Sequence, residues 1–211
     1  MESNKKVNTR EQEELASDLI ALQQILENSE INALYHEQCI NPVTLHFVPE
    51  TSWNSQETSL SELRESYFAR KNNLNRRFEH KLWNALKITS AFPGMIKIIG
   101  VTWVTDNIMK VYKFPFAKLL GINAVDGGLF HKQGNFVRHG FVPLTDSEAR
   151  LSVPADQLAD VDYHDVLLIT HSKNNFTKTS TESSISQCKW ENPVGKPRVA
   201  SLKLDEPEDQ N

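Results

Sequence analysis

"IIGVTWVTDNIMKVYKFPFAKLLGINAVDGGLFHKQGNFVRHGFVPL", residues 98–144, is the stretch on which the fold reading turns. It runs β-branched segments, glycine turns, aromatic residues and scattered Lys, Arg and His together without a break. "MIKIIGVTWV" (95–104) is rich in Ile and Val and bounded by turn signals, which predicts a buried strand. Asp106 is a candidate N-cap; after it, Ile108, Met109, Val111 and Tyr112 predict the apolar face of a short helix. Pro115 divides that helix from a second one ending at Gly121. In 125–144 the Asp-Gly, Gly-Gly and Gly-Asn pairs separate short runs of Leu, Phe and Val, which predicts a compact β-hairpin.

Working towards the N-terminus, "AFPGM" (91–95) breaks any helix, because Pro93 disfavours a helical residue before it. Ahead of that break, Ser59 and Glu62 form a candidate capping box. Leu60, Leu63, Tyr67, Leu74, Phe78, Leu82 and Ala85 follow on one stripe, which predicts a long helix over 59–88 with "ARKNNLNRR" (69–77) on its polar face. Val43, Leu45 and Phe47 alternate within "CINPVTLHFVPETSWN" (39–54), suggesting a short strand. Residues 8–28 predict a further helix, with Thr9 and Gln12 as a capping box and Leu15, Leu19, Leu22 and Leu26 along one face. Towards the C-terminus, a short helix follows Leu144, and "VLLIT" reads as a final strand or a strand-like helix. The Ser/Thr/Asn-rich text beyond His171 predicts a disordered tail, acidic at its end (205–209). The expected organisation is an N-terminal helical extension and loop (1–56), an α+β core domain (57–171) and a tail (172–211).

Charge is strongly segregated along the chain. Residues 61–140 carry 13 Lys plus Arg against five acids, a net of +8; the whole chain is at −4, so the two ends share −12. A basic centre is a polyanion footprint, although a solvated lysine-rich surface gives the same count. The two cysteines, Cys39 and Cys188, lie far apart without metal-type spacing, which points away from a disulfide framework and towards a reducing compartment. No signal-peptide core and no membrane-length apolar run occurs, so a nuclear or cytoplasmic protein is expected.

The residue types for catalysis are present but unassembled. "GGLFHKQG" (127–134) lacks the spacing of a phosphate-cradling glycine loop. His131, His139, His164 and His171 lack the tight spacing and Cys or carboxylate support of a metal site. Asp160, Asp162 and Asp165 lack the glycine and closing glutamate of a calcium loop. No enzyme, cofactor or small-molecule substrate is expected. Nucleic-acid binding fits better, with Lys110, Lys113 and Lys118 on the helix pair and Lys132, Gln133 and Arg138 on the hairpin; Arg76 and Arg77 lie on the long helix.

"TWVTDNIMKVYKFPFAKLLGI" (102–122) and "VDGGLFHKQGNFVRHGFVPL" (125–144) together resemble the KilA-N/APSES family, the DNA-binding domain of fungal cell-cycle and morphogenesis factors and of some phage proteins. The resemblance implies a small winged helix-turn-helix-like α+β domain in a nuclear, fungal, DNA- or chromatin-associated protein active in transcription or chromosome regulation. Its wing positions are Lys132, Gln133 and Arg138, with Lys113 and Lys118 on the helical pair. The family's second helix is rich in Lys and Arg, whereas "FAKLLGI" here is mostly apolar. That difference leaves a second expectation open: a non-enzymatic assembly subunit that docks a protein partner through helices 8–28 and 59–88.

Overall fold

The computed structural model describes residues 28–188. Helix α1 (28–37) leads into strand β1 (Cys39–Ile40), which pairs antiparallel with β2 (Thr58–Ser59). All of the expected helix 8–28 except its last residue lies outside the described residues. The segment expected as a strand around Val43 is a chain of turns instead. Asn41 Oδ1 accepts the Val43 and Thr44 N–H groups, a local bonding pattern that competes with extension.

Helix α2 (Leu60–Leu63) begins at the expected box: Glu62 N–H donates to Ser59 Oγ at 3.2 Å, and Ser59 N–H donates to the Glu62 carboxylate at 2.9 Å. The long helix expected over 59–88 does not form. α2 widens into a π turn (Arg64–Phe68), the chain leaves the helix over 69–77, and α3 (Phe78–Ala91) restarts it. Asn72, Asn73 and Asn75 account for the break, since asparagine amides bond to nearby backbone more readily than they extend a helix. Asn73 Oδ1 accepts the Asn75 N–H at 3.0 Å, and Asn73 and Arg76 exchange backbone bonds. Of the stripe, only Leu74 faces solvent; Leu60, Leu63, Tyr67, Phe78, Leu82 and Ala85 are buried in the core, so 59–88 offers no apolar seam for docking a partner.

Helix α4 (Ile96–Ile99) occupies the first half of the expected strand, which contracts to β3 (Val101–Trp103). The expected helix after Asp106 is strand β4 (Ile108–Tyr112), paired with β3 in the register Val101↔Val111 and Trp103↔Met109. Its alternation decides between the two periods: Met109 and Val111 enter the main core, while Ile108 enters a second cluster on the opposite face. Helix α5 (Lys113–Leu119) carries Pro115 in its first turn, where a missing N–H costs nothing, so one helix stands where two were expected.

The expected hairpin over 125–144 is largely helical. A π turn (Asp126–Phe130) and helix α6 (Asn135–Arg138) precede β5 (Phe141–Pro143). Gly134 serves a close approach between these two turns, since a Cβ there would lie 2.6 Å from the Leu129 carbonyl oxygen. There is thus no two-stranded wing.

Helix α7 (Asp146–Ser152) packs on the second cluster through Ala149, beside Val153 and Leu168. "VLLIT" is β6 (Val166–His171), and it lies between β4 and β5 in an antiparallel sheet of order β3-β4-β6-β5. Residues 172–188, expected to open a disordered tail, are ordered: Phe176 and Ile185 are fully buried, the latter on helix α8 (Glu182–Gln187). Residues 189–211 lie outside the described residues. The fold is α+β as expected, with an antiparallel sheet between α7 on one face and α3, α5, α6 and α8 on the other.

Candidate nucleic-acid interface

The fold leaves acids out of one region almost entirely. Between Ser66 and Thr145 the only carboxylates are Glu79, Asp106 and Asp126. Glu79 is fully buried, 3.2 Å from His139 Nδ1 and 3.9 Å from Arg77. Asp126 is paired with Lys113 at 3.0 Å. The cations of this region therefore meet few exposed opposite charges.

Two acid-free segments, 66–78 and 127–145, both reach one cleft of about 260 Å³, the second through Asn135 alone. One side is the loop Ala69–Asn72, the other is Leu120–Ile122 at the end of α5, and Asn135 at the start of α6 completes the rim. Gly121 permits the approach. Its φ of +67° is left-handed, and a Cβ there would stand 3.1 Å from the Ala69 Cβ. Asn135 donates to the Gly128 carbonyl at 2.8 Å, fixing the exposed His131–Gln133 turn beside the same edge.

The loop is braced from beneath. Lys81, only 3% exposed, donates to the Arg70 carbonyl at 2.5 Å and to Asn72 Oδ1 at 2.9 Å. Burial, reinforced by the nearby Arg76 charge, pushes the Lys81 ammonium down to about 8. Arg76 in turn donates to the Ser66 carbonyl at 3.3 Å. The Arg70 and Lys71 side chains stand exposed on this fixed backbone. A prearranged basic loop spends less ordering entropy on binding a polyanion than a free one would.

The residues expected to bind nucleic acid fall into two groups. Lys118, Lys132 and Gln133 are exposed, and Arg76 and Arg77 are half-buried beside the cleft loop. Arg138 is half-buried on α6. Lys110 does not belong with them: it is 4% exposed in β4, donating to Asp160 at 2.6 Å on the far face of the sheet. The Tyr112 hydroxyl donates to the same carboxylate. Although burial opposes it, these two donors hold the Asp160 carboxyl below its usual range. Lys113 is mostly covered, bound to Asp126 and lying over the Phe130 ring at 5.2 Å. Sequence reasoning left out Arg70, Lys71 and Lys81 as individual sites; for Arg70 and Lys71 the signal was the run "SYFARKNNLNRRF" (66–78), which contains no acid, whereas nothing local marks Lys81.

Among the described residues no helix is long and apolar enough to cross a membrane, and no group of three His, Cys, Asp or Glu residues could hold a metal ion. No curated protein and no solved structure matches the chain. Residues 50–161 match the family of the transcription-initiator DNA-binding domain, IBD. The matched segment contains the basic loop, the cleft and the His131–Gln133 turn, and the chain belongs to this transcription-initiator DNA-binding domain family.

Proposed function

We propose that the chain binds duplex DNA in the nucleus through the face formed by the 70–77 loop and the 131–133 turn, and that it acts in transcription or chromosome regulation by binding rather than by catalysis. The observation that carries this reading is the meeting of two acid-free segments at one braced cleft inside the family-matched region. Arg70, Lys71, Lys118 and Lys132 supply phosphate contacts, and Gln133 and the asparagines of the loop are the polar groups suited to base edges. The narrower kinship with KilA-N/APSES domains is part of this proposal through the Phe141–Leu144 strand end; the wing and the helix pair that carried it are replaced by helical turns and a strand.

The test is binding to a labelled random duplex over a series of salt concentrations. Each phosphate neutralised contributes about −0.9 to the slope of log K against log salt. An Arg70→Ala/Lys71→Ala double variant is expected to flatten that slope by about 1.8. A wild-type protein that binds no duplex at low salt would overturn the reading.

A second reading, assembly with a protein partner, draws on the Leu15, Leu19, Leu22 and Leu26 stripe and on Phe114, 59% exposed at a shallow apolar groove with Ala117, Ile122 and Val125. Size-exclusion chromatography with light scattering tests it, since a strictly monomeric chain that captures no partner counts against docking.

A further inference from the structure

Lys81 and Lys110 are both almost fully buried, but among the described residues only one has a counter-ion. Lys110 has Asp160. Lys81 has only neutral acceptors, the Arg70 carbonyl and the Asn72 amide oxygen, and among the described residues no carboxylate lies within ion-pair distance of it. An ammonium carries three protons, so among the described residues one is left without a partner. A buried cation without an opposite charge is costly to keep, and a neutral residue could fill the space without that cost.

What the protein lacks at this point, a ligand can supply. Lys81 lines the cleft between loop 69–72 and the 120–122 turn, with Arg70 and Lys71 on the same wall and the Asn72 and Asn135 amides nearby. Phe78, Leu120 and Ile122 give the cleft an apolar side. A tetrahedral oxyanion carrying a carbon substituent matches both surfaces: charge and amides for the oxygens, hydrocarbon for the sugar next to it. We propose that the Lys81 cleft is a subsite for one backbone phosphate of the bound DNA, with Lys81 as the buried charge at its floor and Arg70 and Lys71 at its rim. The assignment rests on the DNA-binding reading above, and it names the one phosphate whose position the fold fixes.

The depressed titration of Lys81 turns this into a direct measurement. A phosphate in the cleft favours the charged ammonium, and a rise of one pH unit in its midpoint is a tenfold coupling between protonation and binding. The full chain, carrying 13C-labelled lysine, is titrated through the alkaline range alone, with inorganic phosphate, and with a saturating random duplex, reading the Lys81 ε-carbon shift. The expected result is a midpoint near 8 in the free protein that rises by about one unit or more with duplex. Duplex binding that leaves the midpoint unmoved overturns the subsite while the DNA-binding reading stands. A midpoint that rises with inorganic phosphate but not with bound duplex also overturns it, assigning the cleft to a free anion. If no duplex binds at low salt, the DNA-binding reading fails first, and the backbone subsite falls with it.

Because Lys81 also braces the loop, variants serve as the second line. Lys81→Met is expected to flatten the salt slope by about 0.9, the share of a single phosphate, and Lys81→Arg to restore it. Equal slopes for wild type and Lys81→Met, with both folded by circular dichroism, overturn the assignment.

Discussion

Lys110 Nζ lies 2.6 Å from Asp160 Oδ1, tying the middle of strand β4 to the loop that precedes β6. Lys110 is buried and Asp160 half-exposed, so the pair is screened on one side only. Asp160→Asn is expected to cost about 1–3 kcal/mol, chiefly by leaving the Lys110 ammonium with a weaker partner. Since the folded-state titration of Asp160 is depressed, its contribution is complete above the unfolded value near 3.9 and is lost as pH falls through the lower folded value. Urea denaturation at neutral pH and below pH 4 checks this: the gap between wild type and Asp160→Asn is expected to narrow in acid.

Lys110→Met separates structural lysines from ligand-binding ones. It is expected to change stability and leave the salt dependence of DNA binding as it is, because the ammonium is turned to the face opposite the main core. A slope that flattens by about 0.9 would return Lys110 to the interface.

Gly121→Ala tests how the cleft is held open. The left-handed backbone and the 3.1 Å approach to Ala69 predict a loss of about 1–3 kcal/mol. Amide chemical shifts of residues 69–72 are expected to move together with those of 120–122. A neutral variant with unmoved shifts would mean that the two walls are independent.

Phe176→Ala tests whether 172–188 belongs to the fold. The ring is fully buried, with centroids 5.0 Å from Phe141 and 5.6 Å from Trp83. A cost of about 3–5 kcal/mol is expected in thermal or chemical denaturation. A tail that merely rests on the surface would give well under 1 kcal/mol, the range of surface substitutions.

Local signals were the most readable part of the sequence. The Ser59–Glu62 box and the helix after Leu144 stand where their residues indicate, and "VLLIT", which reads as a strand or a strand-like helix, is the strand. The segment Ile108–Tyr112 misled because four apolar residues in five fit a helical face as well as a strand buried on both sides, and only pairing with β6 decides between them. The glycines of 127–134 signal tight turns in either case; what they permit is packing between helical turns, which depends on Leu129 and Phe136 sharing one core. For the site, the acid-poor centre was legible as composition, whereas the withdrawal of Lys110 and the burial of Lys81 follow from contacts made across the chain.

The position of β6 has a consequence for how the molecule comes into being. The family match ends at residue 161, yet the strand that joins β4 to β5 begins at Val166. During synthesis from the N-terminus, β4 and β5 each wait with an unpaired edge until β6 emerges from the ribosome, and such edges invite association with other chains. The unit that must fold together therefore extends past the recognisable domain, to the helix that buries Ile185.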